Sequence, residues 1–201
     1  YASDLDIIFL YEDGDERAPE NYARLAQRYN NWLTVRTAAG PLFETDLQLR
    51  PSGASGLLVS TLAAFEHYQE KDAWTWEHQA LTRARYCAGD GEVGLEFEKI
   101  REKILKRKRD PSALRDDILS MREKLHAAHP NTSGLFDLKH DRGGMIDIEF
   151  AVQYLILAHA HRHAELTKNL GNIALLGIAP SLALIPGEAA ENCRNAYREF
   201  R

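Results

Sequence analysis

The chain has 201 residues, with 30 Asp and Glu against 25 Lys and Arg, for a formal net charge of −5. That length suits one large domain or two small ones, and 44% hydrophobic with 27% charged residues is the composition of a folded globular chain rather than a disordered one. The acidic balance excludes a general nucleic-acid coat protein, whose affinity rests on cationic contacts to phosphates, and no apolar run reaches the roughly 18 residues of a membrane-spanning helix.

The first segment, Leu5-Asp6-Ile7-Ile8-Phe9-Leu10-Tyr11, is rich in strand formers and ends at the turn signal Glu12-Asp13-Gly14-Asp15, which predicts a buried strand. From Asn21 to Thr37 the bulky residues Tyr22, Leu25, Tyr29, Trp32 and Leu33 recur at three- and four-residue steps, predicting an amphipathic helix stopped by Ala39-Gly40-Pro41. Leu42–Arg50 alternates: Phe43, Thr45, Leu47 and Leu49 share one face, and Glu44, Asp46, Gln48 and Arg50 the other. Period two predicts a strand with one polar face. Pro51-Ser52-Gly53-Ala54-Ser55-Gly56 reads as a loop and Leu57-Leu58-Val59 as a short strand.

Beyond Ser60 helix signals dominate. Ser60 and Asp72 are expected N-caps, and Asp110 before Pro111 reads as N-cap and first helical residue. Helices are predicted over 93–106, 112–128, 144–163, 173–176 and 187–200, interrupted by an extended piece at 135–139. A composition shift at Gly89-Asp90-Gly91 places a boundary there, giving an α+β fold: an α/β part over residues 1–90 and an all-helical domain over 91–201, with the active cleft expected between them. Cys87 and Cys193 lie in no metal-like spacing, which fits a reducing, cytoplasmic setting. The chain starts at Tyr1-Ala2-Ser3 without Met and stops at Arg201 inside a predicted helix, so it reads as a piece of a longer polypeptide.

The chemistry concentrates in three carboxylates. Asp4 and Asp6 are two apart at the start of the first strand and leave the same face. Asp46 lies on the polar face of the next long strand. If those strands are neighbours, three anions converge, and each is raised in pKa unless a cation is present. Hard oxygen ligands suit Mg²⁺, and two such ions can clamp the attacking and leaving oxygens of a phosphoryl displacement. An Asp-x-Asp pair at a strand edge also begins ordinary solvated loops.

Ser3-Asp4-Leu5-Asp6 followed by Ile7-Ile8-Phe9 resembles the strand motif of the polymerase-β-like nucleotidyltransferase superfamily. More narrowly, SDLDIIFLY (3–11), ETDLQLRPSGASGLLV (44–59), AFEHYQEKDAWTWEHQALTRAR (64–85) and FDLKHDRGGMIDIEF (136–150) resemble the glutamine synthetase adenylyltransferase/adenylyl-removing enzyme family. The resemblance implies a small mixed sheet with helices, truncated at its N-terminus, over residues 1–90. It implies transfer of AMP from ATP to a tyrosine of glutamine synthetase with release of pyrophosphate, regulating nitrogen assimilation. Asp4, Asp6 and Asp46 would be the catalytic residues and the ligands of two Mg²⁺ ions; Ser3, Arg50 and Lys139 would bind nucleotide. The nitrogen-signalling PII protein and glutamine are implied as a partner and an effector. DAWTWEHQAL (72–81) looks more like the AMP-adding half of the family than the half that removes AMP by phosphorolysis to ADP. The adenylyl-removing half and a non-catalytic docking or sensing module are the alternatives. Two departures are visible: Gln48 stands where the family pattern carries an arginine, and the Gly-Ser turn that normally precedes the first strand is missing.

Other candidates have simpler readings beside them. Gly143-Gly144 before a helix offers N–H donors to an anion, or is only a turn. Asp147 and Glu149 suit a helix N-terminus regardless of function, and Glu149 is expected to tie the helical part to the α/β part. Trp74 or Trp76 could stack on adenine, and Arg83 and Arg85 could reach a phosphate. Lys106-Arg107-Lys108-Arg109 is a basic run that also suits a helix C-terminus. His159, His161 and His163 lack the further aligned ligand that zinc needs.

Overall fold

A computed structural model of the chain describes residues 4–201. It is an α+β fold in two compact units. One holds the chain up to Ala73 together with Tyr86–Ile100; the other holds Trp74–Arg85 and Arg101–Arg201. The boundary drawn from sequence at 90 falls inside the second stretch of the first unit.

In the first unit the expected strand Leu5–Tyr11 is two short strands, β1 (Leu5–Asp6) and β2 (Phe9–Tyr11). Helix α1 follows over Ala18–Thr34, started by Pro19 in its first turn and by the Asp15 carboxylate accepting from the Arg17 amide at 2.7 Å. Strands β3 (Arg36–Thr37) and β4 (Gly40–Pro41) form an antiparallel hairpin. Strand β5 (Thr45–Asp46) pairs parallel with β1, and β6 (Val59–Thr61) pairs parallel with β2. The single strand predicted over 42–50 is therefore wrong in extent. Its ladder ends at Asp46, because the Asp46 Oδ1 accepts the Gln48 amide at 2.7 Å and folds the chain into a turn.

The core of this unit gathers Tyr11, Ala18, Ala26 and Val59, with Phe9, Tyr22, Ala23 and Leu58 packed against it. Tyr11 and Tyr22 stack at 4.9 Å. The buried side of α1 is thus its alanine side. Leu25, Tyr29 and Trp32, expected in the core, are 56%, 42% and 66% exposed. Helix α2 (Leu62–Lys71) starts directly from β6, and its N-cap is Thr61, whose hydroxyl accepts the Ala64 amide at 3.1 Å, rather than Ser60. Phe65, 1% exposed, meets Phe97 of α4 (Gly91–Leu105) at 5.9 Å between ring centres.

The second unit is helical throughout: α3 (Thr75–Leu81), the last turn of α4, α5 (Pro111–Ala128), α6 (Met145–His159), α7 (Asn172–Ile178) and α8 (Gly187–Phe200), with 3-10 turns between. Asp72 is not the cap of α3; Trp74 takes that position, and its amide donates to Glu77 Oε2 at 2.8 Å. Asp110 caps α5 as expected, accepting the Ala113 amide at 2.7 Å ahead of Pro111. Helix α6 is apolar nearly all round, with Ile148, Val152, Ile156 and Leu157 buried, and it packs on α3, α5, α7 and α8. The extended piece expected at 135–139 is a turn, tied by Asn131 and Asp137 side chains to nearby backbone. Arg101, 2% exposed, donates to the carbonyls of Leu81, Thr82 and Thr167, joining α4 to the end of α3 and to the turn before α7.

Candidate functional site

The parallel pairing of β1 with β5 sets Leu5 opposite Thr45 and Asp6 opposite Asp46. The Leu5 amide donates to the Glu44 carbonyl at 2.8 Å and the Ile7 amide to the Asp46 carbonyl at 2.9 Å, which fixes this register. Residues in register on adjacent parallel strands leave the same face, about 4.8 Å apart along the hydrogen-bonding direction. A one-residue slip would send Asp46 to the opposite face. Asp6 is exposed and Asp46 half-buried, its carboxylate anchored through Oδ1 to the Gln48 amide. Asp4 is exposed and immediately precedes β1, two residues from Asp6. Carboxylate oxygens are the right donors for Mg²⁺. Among the described residues, however, no three carboxylate, imidazole or thiol groups stand close enough to form a metal site, so the strands align two of the expected ligands and the set of three is not assembled. Ser3 lies outside the described residues.

Arg50 was expected to offer its guanidinium to phosphate from the polar face of a strand. It sits in the loop after β5 instead. Nη1 donates to the Leu47 carbonyl at 2.6 Å, Nη2 to Ala54 at 3.2 Å and Nε to Gly56 at 3.4 Å. The guanidinium holds the LRPSGASG loop closed from within. The loop leaves no room for a side chain at Gly56, where a Cβ would stand 1.9 Å from the Pro51 carbonyl oxygen. Gln48, at the position where the family pattern has an arginine, gives its amide to Asp46.

Lys139 is exposed in the turn before α6, its amide donating to Asp137 Oδ1 at 2.8 Å. The neighbouring Gly143-Gly144 pair does face an anion, but the anion is intramolecular: the Gly143 amide donates to Asp147 Oδ2 at 2.5 Å. Asp147 occupies the helix N-terminus that the sequence offered to a ligand. Its other oxygen accepts from Arg122 Nε at 2.5 Å. Glu149 accepts from Arg83 Nη1 at 2.9 Å and from the Tyr197 hydroxyl at 2.7 Å. Both partners lie in the same compact unit as Glu149, and Arg83 falls within residues 1–90, the stretch the sequence assigns to the α/β part. Burial, then the Glu149 carboxylate, pushes the Tyr197 hydroxyl above its ordinary pKa.

The remaining candidates are mostly structural. Trp74 and Trp76 are 72% and 38% exposed. In the basic run Lys106 pairs with Glu102, while Arg109 turns inward to the carbonyls of Ile104, Leu105 and Leu157, and burial lowers it to about 10. The His159 imidazole is depressed by burial and then by neighbouring cationic side chains. Sequence reasoning missed Arg122, which is 7% exposed. The signal was available: it falls one turn beyond Ile118 on the stripe Leu114–Ile118 that α5 buries.

Residues 1–100 match the family model for glutamate-ammonia ligase adenylyltransferase (GlnE). The chain belongs to this family. Over all 201 residues it is 59% identical to the bifunctional glutamine synthetase adenylyltransferase/adenylyl-removing enzyme of Aromatoleum aromaticum, and 56% identical to those of Bordetella bronchiseptica and Nitrosomonas eutropha. It spans 21% of the length of the first two of these relatives and 22% of the third. Among the described residues no helix is long and apolar enough to cross a membrane.

Proposed function

We propose that the first unit is a polymerase-β-like nucleotidyltransferase centre that transfers AMP from ATP to a tyrosine of glutamine synthetase and releases pyrophosphate. The observation that carries the reading is the register of β1 on β5, which puts Asp6 and Asp46 on one face of a chain whose relatives at 56–59% identity are named bifunctional glutamine synthetase adenylyltransferase/adenylyl-removing enzymes. The AMP-adding direction rests on the sequence resemblance of Asp72–Leu81 to that half of the family.

Asp6 and Asp46 would hold Mg²⁺; Asp4, the third ligand the resemblance implies, is not gathered with them among the described residues. Bound there, the metal would neutralise charge on the phosphates and lower the pKa of the attacking hydroxyl. The protein's own part is positioning. The Gln48 amide holds Asp46 in one orientation, and the β1–β5 hydrogen bonds keep Asp6 on the same face. Arg50 acts on the site by fixing the loop that leaves β5. Lys139, exposed and cationic, belongs to the nucleotide side of the proposal, as does Ser3. Nitrogen-signalling PII protein and glutamine are further expected regulators, and the cytoplasm the expected location.

The test is mass spectrometry of glutamine synthetase after incubation with the full-length protein, ATP and Mg²⁺. AMP should appear on a tyrosine, and Asp46→Asn should lower the rate by on the order of 10²–10³ while leaving the melting temperature intact. Retained transfer by Asp46→Asn refutes the site. ADP formed from AMP-modified glutamine synthetase and phosphate, without forward transfer, would assign the opposite direction.

A further inference from the structure

Helices α5 and α6 pack side by side in the second unit and leave an open groove of about 420 Å³ between them. That volume is within the range of roughly 300–1,000 Å³ typical of small-ligand sites. Ile118, Phe150 and Tyr154 give it an apolar and aromatic lining; Arg115, Arg122 and Arg142 give it three guanidinium groups. Only two carboxylates share the groove, and each is engaged by one of these arginines. Asp147 accepts from Arg122, and Glu123 accepts from Arg142 through both oxygens at 3.0 and 2.8 Å. Arg115 donates from Nε and Nη2 to the adjacent Asp116 at 3.2 and 3.1 Å, so each of the three guanidinium groups has a carboxylate partner, and the pairs of Arg115 and Arg142 are exposed.

The second observation is an unmet donor. Arg122 is 7% exposed, and two of its three nitrogens are satisfied: Nε by Asp147, and Nη2 by the His140 carbonyl at 2.8 Å. Nη1 is buried and has no hydrogen-bond partner. A buried cationic N–H without an acceptor is an unfavourable arrangement that a bound oxyanion corrects. The rim does not obstruct this. The Arg142–Glu123 pair is 70% and 59% exposed, and an exposed ion pair gives way cheaply.

We propose that the α5–α6 groove binds a small organic oxyanion, with a carboxylate or phosphate oxygen accepting from Arg122 between Arg115 and Arg142, and an apolar or aromatic body lying on Ile118, Phe150 and Tyr154. The site uses none of the carboxylates of β1 and β5, so its fate is independent of the reading given to them.

The experiment titrates benzoate, phenyl phosphate and the uncharged control benzyl alcohol into the full-length protein, with binding read by calorimetry. Saturable binding of an anion but not of the alcohol is expected, and whichever anion binds more tightly identifies the carboxylate or phosphate source. An Arg115→Gln/Arg142→Gln variant, altered only at exposed side chains, should bind at least tenfold more weakly with an unchanged melting temperature. Absence of binding by both anions at millimolar concentration, equal binding of the alcohol, or undiminished binding by the double variant overturns the proposal.

Discussion

The two roles open to Arg50 make opposite predictions. If the guanidinium serves as a loop staple, its removal costs stability; if it serves phosphate, its removal costs nucleotide affinity. The structure gives the first a magnitude. Three backbone carbonyls, on Leu47, Ala54 and Gly56, accept from one side chain, at distances running from 2.6 to 3.4 Å. A hydrogen bond to a charged group is worth about 1.5–3 kcal/mol when well formed. Only the Leu47 contact is short, the Gly56 contact is near the limit of a hydrogen bond, and the residue is half-exposed, so freed carbonyls can rehydrate. Arg50→Met should therefore destabilise by about 2 kcal/mol rather than the full sum. For a chain of this length that is a fall in melting temperature of roughly 4–8 °C. Arg50→Lys keeps the charge but cannot span three carbonyls at once, so it should recover only part of the loss. Thermal unfolding followed by circular dichroism measures this, alongside the KM for ATP. A wild-type melt for Arg50→Met with a raised KM would refute the staple and restore the phosphate role.

Two further outcomes follow from the turn before α6. A Cβ at Gly144 would meet two backbone oxygens, Leu138 at 2.7 Å and Asp141 at 2.9 Å, which no rotamer can relieve. Gly144→Ala should lose about 1–3 kcal/mol in chemical denaturation, and an unshifted midpoint would contradict the packing of this turn. Asp137 is held at about 2, below its ordinary 3.8, chiefly by the His140 imidazole and then by the amides of Lys139 and His140. A depressed carboxylate contributes stability that is present above its ordinary pKa and lost as pH falls through the folded value. Unfolding of wild type should thus ease between about pH 4 and pH 2 more steeply than unfolding of Asp137→Asn; parallel profiles would sink the assignment.

What the sequence disclosed, and what it hid, divides by the kind of signal. Helices in the second unit were legible because their ends are written locally: the Asp110-Pro111 start of α5 and the span of α8 stand where capping residues and periodicity put them. The face of α1 was not legible. Periodicity marks where large apolar residues recur, yet here small ones meet the sheet, since Ala18 and Ala26 are the residues that allow β2 and β6 to come close. The alternation over 42–50 misled for a different reason. Asp46 is at once a strand residue and a turn former, and its side chain wins the Gln48 amide from the ladder.

The same competition explains why a functional reading of single residues fared unevenly. Strand logic puts Asp4 and Asp6 on one face and lets Asp46 join them only if the two strands are neighbours; β1 and β5 are neighbours, with Asp6 and Asp46 in register. The resemblance offers Arg50 to a phosphate, and the Gly143-Gly144 pair reads as an anion donor or a simple turn; the chain supplies its own acceptors to both, three carbonyls for Arg50 and Asp147 for the Gly143 amide. A donor type predicts binding only after internal acceptors have been counted, and that count needs the fold. Applied to the arginines of the described residues, it leaves Arg122 Nη1 and Arg194 Nε buried without an acceptor, and of these two residues it is Arg122, with Asp147 and His140 on its other nitrogens, that lines the α5–α6 groove. Position along α5 makes Arg122 buried; Asp147 of α6 and the His140 carbonyl decide which of its nitrogens are satisfied; and the remaining one, on a residue that lines a groove beside two exposed arginine pairs, is what turns a packing detail into a binding hypothesis.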